Sequence, residues 1–179
     1  LVHYPVYNKN GDTIASAVTT LDLHDLARLS ATYGLKRFFI ITPLEDQQEL
    51  VERVIRHWTT GHGAGYNRDR KKAFEQIEVV ASIEDAADAV RIAEKAPPRL
   101  IATDAGKGRA PLLEFQAAGD MLRQDRPCML LFGTAWGLHR DVLDRADHVL
   151  EPVEGLAGYN HLSVRTAAAV ILDRLAFGR

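Results

Sequence analysis

The run PCMLLFGTAWGL, residues 127–138, decides the fold: six residues of unbroken β-rich, largely apolar character end abruptly in a loop bounded by Gly133 and Gly137. A short continuous apolar run closed by glycine reads as a strand buried on both faces, the kind found inside a parallel sheet. Working outward, similar runs occur at 2–7, 37–42, 77–81, 99–103 and 148–150. Segments of helical period separate them. Leu50, Val51, Val54, Ile55 and Trp58 form one apolar stripe, and Ile83, Ala86, Ala87 and Val90 form another, opened by Ser82 with Asp85 three residues on as a capping pair. A third and longer stripe runs through Leu162, Ala168, Ala169, Leu172, Leu175 and Ala176, with Arg165, Asp173 and Arg174 off its apolar face. Strands alternating with helices predict an α/β domain with a mostly parallel sheet flanked by helices.

The bulk properties fit one such domain over residues 1–179. The chain is 46% hydrophobic and 26% charged, with no biased tract, which excludes a disordered polymer. Its single cysteine, Cys128, lies in the apolar run and points to a reducing compartment. No stretch approaches the roughly 18 apolar residues of a membrane span, and LVHYPVYNKNG lacks the regions of a signal peptide, so a cytoplasmic protein is expected. A net charge of -2 argues against a uniformly basic nucleic-acid binder. The one dense basic cluster, Arg68, Arg70, Lys71 and Lys72, closes the Gly- and His-rich segment TTGHGAGYNRDRKK, residues 59–72. That segment reads either as a mobile loop touching phosphates or as a solvated linker running into a helix.

Three loops follow strands in succession: TDAGKG at 103–108, GTAWGL at 133–138 and EPVEGLAGYNH at 151–161. In open α/β sheets ligands bind beyond the carboxyl ends of strands, where glycine lets backbone approach them closely. Each loop carries two glycines: Gly106 and Gly108, Gly133 and Gly137, Gly155 and Gly158. The alternatives have less support. A P-loop would need four residues between its first glycine and the Gly-Lys pair, no G-x-G-x-x-G follows the first strand, and no G-x-S-x-G elbow occurs. The seven histidines are scattered, without the spacing of metal ligands, and no metal is expected.

PCMLLFGTAWGL followed by HVLEPVEGLAGYNHLSVRTAAAVILDRL resembles the two C-terminal motifs of the SPOUT, or α/β-knot, RNA methyltransferases. DLHDLARLSATYGL, residues 22–35, is similar to the family's N-terminal helix, with Arg28 ahead of Tyr33 and Gly34. The resemblance implies a C-terminal trefoil knot, S-adenosylmethionine (SAM) as cofactor, an RNA substrate (tRNA or rRNA), and a homodimer whose chains share the substrate site. By position it implies a cofactor pocket of Thr103, Asp104 and Ala105; Phe132, Gly133, Thr134 and Gly137; Leu150, Pro152, Val153 and Gly155; and Tyr159, Asn160 and Leu162. Leu150, Val153 and Leu162 would sandwich the adenine, or else belong to the core. His161 is the candidate base, since imidazole titrates near neutrality. Arg28 is the candidate for stabilising charge at the acceptor, with Asp22, His24 and Asp25 as its possible supports; Trp136 is a base-stacking candidate or an interface residue.

Two departures set this chain apart from the resemblance. Ala135 stands where many relatives have an acid, and His161 where many have Asn. The competing readings are a SAM-binding or RNA-binding regulatory module without catalysis, and a flavodoxin-like nucleotide or receiver domain.

Overall fold

A computed structural model describes residues 1–106, 111–157 and 159–177. The elements, in chain order, are β1 (Val6–Tyr7), β2 (Thr13–Ile14), α1 (Thr20–Thr32), β3 (Phe38–Ile41), α2 (Glu45–Thr59), α3 (His62–Tyr66), α4 (Arg68–Phe74) and β4 (Ile77–Val80). They continue with α5 (Ile83–Glu94), β5 (Arg99–Thr103), α6 (Phe115–Leu122), β6 (Cys128–Leu131), α7 (Arg140–Arg145), β7 (His148–Leu150) and α8 (Val164–Phe177).

The sheet is built on parallel pairs, as the apolar runs predict. β3 pairs with β4, and β5 pairs with β6 on one side and β7 on the other. Residues 1–3 join the two groups: Val2 bridges both Ile41 and Gly133 in parallel. The bonds alternate between the two neighbours. Val2 N–H donates to Phe132 O at 2.8 Å and His3 N–H to Ile41 O at 2.9 Å, while Ile41 N–H reaches Leu1 O at 3.0 Å. The resulting order is β4, β3, residues 1–3, β6, β5, β7, with Leu113 bridged to Leu150 beyond β7.

Alternation along these strands divides the core between two faces. Phe38 and Ile40 pack with Leu23, Leu26, Val51 and Phe74 from α1, α2 and α4. Phe39 and Ile41 pack on the other side with Ile83 and Ala86 of α5 and Val142 and Leu143 of α7. Ile101 and Leu150 carry a third cluster against Phe115 of α6 and Ile171 and Leu175 of α8. Ser82 caps α5 by accepting from the N–H of Asp85 at 3.0 Å, as the sequence implied.

Three expectations need correction. The run 2–7 is two pieces: residues 1–3 lie in the sheet, whereas Val6–Tyr7 leaves it to pair antiparallel with Thr13–Ile14. The turn between is held by Asn8, whose Oδ1 accepts from Asn10 N–H at 2.8 Å and Asp12 N–H at 2.9 Å, with Gly11 at φ +84°. This Asx-type bonding folds the chain back on itself. The segment 59–72 is mostly helix rather than loop, forming α3 and the start of α4, whose Ala73 and Phe74 are buried. Leu162 lies before α8 and is exposed, so it is not part of that helix's buried stripe.

Trp58 is the reason α3 can pack there. A Cβ on Gly63 would stand 2.6 Å from Trp58 Cε3, so only glycine lets α3 close on the indole. On another side the Arg70 guanidinium lies 4.6 Å from the ring centroid. Gly63→Ala is expected to lower stability by about 1–3 kcal/mol through overpacking, read as a lower midpoint in thermal or urea unfolding. His3 provides a second test. It is fully buried, with Nδ1 3.0 Å from Ser16 Oγ, and burial pushes its pKa down from 6.5 to about 4. Because the unfolded chain takes up this proton first, stability is fully present above about pH 6.5 and falls as pH drops toward 4, by at most about 3 kcal/mol. Urea midpoints measured across that range should fall less steeply for His3→Gln.

Candidate functional site

β5, β6 and β7 run parallel in adjacent positions, so the loops leaving their carboxyl ends meet along one edge of the sheet. The first loop is tied to its neighbour where it begins: Thr103 Oγ1 donates to Leu131 O at 2.9 Å. Asp104 Oδ1 then accepts from Gly106 N–H at 3.0 Å, which turns the chain. Ala105 O accepts from Asn160 Nδ2 at 3.2 Å, a direct bond between the first loop and the third.

The second loop is the most constrained. Thr134 N–H donates to Val2 O at 3.2 Å, and Thr134 Oγ1 lies 2.5 Å from Ser16 Oγ and 3.1 Å from Val2 O. Gly137 N–H closes a turn onto Thr134 O at 2.9 Å. Within it Ala135 has φ +51° and Gly137 φ +100°. A left-handed alanine is sparsely populated backbone of the sort that clusters at ligand sites. The β1 strand holds the turn from outside: Trp136 N–H donates to Tyr7 O and Tyr7 N–H to Gly137 O, both at 3.0 Å. Gly133 admits no side chain, since a Cβ would stand 2.6 Å from Leu138 N.

The third loop starts from a buried anchor. Glu151 N–H donates to Leu113 O, and Glu151 Oε1 accepts from Phe115 N–H at 2.6 Å, capping α6. Gly155 faces Tyr159, where a Cβ would come within 2.9 Å of the carbonyl oxygen. Tyr159 and Leu162 are exposed, and the rings of Tyr159 and His161 meet at 5.4 Å.

The residues named from sequence therefore separate. Thr103, Asp104, Ala105, Phe132, Gly133, Thr134, Gly137, Pro152, Val153, Gly155, Tyr159, Asn160, His161 and Leu162 all lie on the three adjoining loops or the strand ends that lead into them. Leu150 is only 1% exposed and packed among Ile101, Phe115 and Leu175, so its side chain is part of the core beneath the loops in this structure. Lys107, Gly108 and Gly158 lie outside the described residues. Trp136 is 66% exposed on its turn and is not packed as core.

Arg28 is exposed on α1 and makes no ion pair among the described residues. The expected support from Asp22 and Asp25 goes elsewhere. Asp22, 5% exposed, binds Arg165 NH1 and accepts from Thr19 Oγ1 at 2.6 Å, while Asp25 Oδ2 lies 3.4 Å from Arg165 Nε. Arg165, missed as a site residue, thus clamps the start of α8, just past the third loop, onto α1. Ser16, also missed, fixes the second loop through Thr134. Neither carries a local sequence signal, because both partnerships join residues more than a hundred positions apart. The basic residues divide as well: Arg70 stacks on Trp58 and Lys71 lies 3.9 Å from Glu75, while Arg68 and Lys72 are exposed. Among the described residues no group of three His, Cys, Asp or Glu side chains is placed to hold a metal, and no helix is long and apolar enough to cross a membrane.

Solved structures share this arrangement. A probable methylase family protein from Haemophilus influenzae superposes with a TM-score of 0.62 at 18% identity, covering 90% of this chain and 62% of that one. The methyltransferase AviRb from Streptomyces viridochromogenes, solved with AdoMet, gives 0.56 at 19% identity over 91% and 55%. These likenesses establish the fold. In sequence, a tRNA (guanine-N(1)-)-methyltransferase of Oleidesulfovibrio alaskensis is 47% identical over 176 residues, which are 98% of this chain and 40% of that protein. A counterpart from Nitratidesulfovibrio vulgaris is 43% identical, again with 40% covered, so the chain spans well under half the length of these two relatives. An uncharacterized protein of Aquifex aeolicus is 31% identical, with 98% of this chain and 85% of that protein covered. The family model described as SAM-dependent RNA methyltransferase matches residues 1–177, and the chain belongs to that family.

Proposed function

We propose that this chain is a SAM-dependent methyltransferase domain acting on tRNA, with the cofactor held by the three loops beyond β5, β6 and β7. The observation that carries the reading is their convergence, tied by the Asn160–Ala105 bond and by glycines at the points of closest backbone approach. The donors and walls available fit a nucleoside with an extended tail. Backbone of Phe132 to Thr134 and of residues 152–155 offers N–H and C=O groups for an adenine edge, and Val153 and Leu162 offer the apolar contact, Leu150 serving beneath them as core. SAM supplies an electrophilic methyl group on sulfonium. The protein's part is to place the acceptor in line and to take its proton. His161, exposed beside Tyr159, is assigned that proton, and Trp136 the stacking of an unpaired base.

The tRNA substrate follows the names of the two relatives above. Their guanine-N1 specificity is not carried over, because most of each of those proteins lies outside the matching segment. The remaining parts of the reading are a cytoplasmic location, a homodimer and a C-terminal trefoil knot. Support for the knot comes from β7, which lies between β5 and Leu113 although it follows both in sequence, while the chain leaving β7 runs on to α8. Support for shared sites in a dimer comes from Arg28, which is exposed, makes no ion pair among the described residues and would serve the acceptor bound by a second copy.

Calorimetric titration with SAM and S-adenosylhomocysteine tests the assignment. Micromolar binding is expected. Asn160→Ala, which removes only the exposed inter-loop bond, should weaken it about three- to tenfold, whereas Gly133→Trp should abolish it by displacing the second loop. A folded wild type that binds neither ligand would sink the reading.

A further inference from the structure

We propose that His24, His57 and Arg70, gathered around Trp58 where α1, α2 and α4 meet, form a phosphate-binding site for the RNA backbone outside the cofactor cleft. This inference rests on the RNA-methyltransferase reading and adds a contact that the three loops do not supply. The grouping is geometric. His24 of α1 meets Trp58 edge-on at 5.4 Å and Phe74 at 4.8 Å; His57 meets Trp58 edge-on at 5.0 Å; Arg70 of α4 lies over the same indole at 4.6 Å. Three cationic or protonatable groups from three helices thus share one aromatic surface.

Their charge is not compensated. Among the described residues none of the three has a carboxylate at ion-pair distance, and the nearest acid on α1, Asp25, is engaged by Arg165. His24 Nδ1 and Arg70 Nε are both shielded from solvent without a hydrogen-bond partner. Orphaned donors beside unpaired positive charge are costly unless an acceptor completes them. Arg70 is only partly buried, and its remaining guanidinium nitrogens, which are not shielded in this way, are the ones a phosphate oxygen can meet; guanidinium is well matched to phosphate. The surroundings are basic too: of Arg53, Arg56, Arg68, Lys71 and Lys72, Arg56 pairs with Glu52 and Lys71 with Glu75, while Arg53, Arg68 and Lys72 have no ion pair among the described residues, in a chain of net charge -2. Such a polarised patch is the footprint of a polyanion rather than of a single small anion.

The state of His24 is consistent with a site awaiting an anion. Burial lowers its pKa from 6.5, and the charges of Arg70, Arg28 and His57 add to the lowering against the single opposing influence of Asp25. An arriving phosphate reverses that balance, so binding takes up a proton and tightens as pH falls.

The test is fluorescence anisotropy of end-labelled, unfractionated bacterial tRNA with the full chain, over a salt titration and at several pH values, alongside calorimetry with SAM. Arg70→Gln is expected to weaken tRNA binding about tenfold and to reduce the salt slope by about one, with SAM affinity unchanged and with Arg70→Lys restoring most of the loss. His57→Gln, an exposed change, should weaken tRNA binding in the same direction, and His24→Gln should remove the tightening at lower pH. If wild type binds tRNA and these folded variants bind it equally well with the same salt slope, the site is wrong while the methyltransferase reading stands. Should Arg70→Gln fail to fold, the loss expected of His57→Gln and the lost pH dependence expected of His24→Gln decide the matter. A wild type that binds SAM but no tRNA overturns the substrate assignment and this site with it.

Discussion

Everything in this protein hangs on the two-sided hydrogen bonding of residues 1–3. β3 and β6 do not pair with each other; each is bonded to this short segment, Val2 to Phe132 and Thr134 on one side, Leu1 and His3 to Ile41 on the other. Without it the β3–β4 pair and the β6-β5-β7 group are separate ribbons, each with an open edge. With it they become one surface that α1, α2, α4 and α8 can cover on one face and α5 and α7 on the other. The same residues reach the site. Val2 O accepts from both N–H and Oγ1 of Thr134, so the central strand and the second loop share an acceptor.

The loops inherit their precision from that scaffold. Parallel strands in adjacent positions deliver three connections to one edge, and each is pinned by a different device: Thr103 to Leu131, Thr134 to Ser16 and Val2, Glu151 to Phe115. Sites mounted on strand ends and locked by secondary contacts hold their geometry better than free loops. The clamp of Arg165 on Asp22 and Asp25, and the bond from Tyr33 to Asp173, fasten α8 to α1 at two points along its length. These ties keep the third loop, which runs directly into α8, in a fixed relation to the helix that carries Arg28.

Much of this was legible in the sequence, for a physical reason. The strand 38–41 is a continuous apolar run because both faces are buried, 128–131 because one face is buried and the other half-buried, and helix stripes such as Val51 and Ile83 are periodic because one face is covered. The three glycine-bearing loops were readable for the same kind of cause, since Gly133 and Gly155 sit where backbone leaves no room for a Cβ. What escaped was decided by distant partners. The run that looks uniformly extended breaks at Tyr4 and Pro5, and Val6 and Tyr7 leave the sheet because a turn held by Asn8 brings Thr13 and Ile14 back to pair with them. The polar, Gly-rich character of 59–72 suggested a loop; helix forms because Gly63, Ala73 and Phe74 close against Trp58 and the core. Asp22 looked like support for Arg28, its neighbour on the same helix, and instead found Arg165 across 143 positions.

The placement of β7 bears on how the chain reaches this structure. β7 is the last strand in sequence, yet it does not add to a free edge: β5 lies on one side and Leu113 on the other, both made earlier in the chain. Completing the sheet requires β7 to enter between two segments that precede it in the chain. Pairings so distant in sequence carry a large loop-closure cost before any contact repays it. An order in which the last strand inserts between earlier ones favours slow refolding.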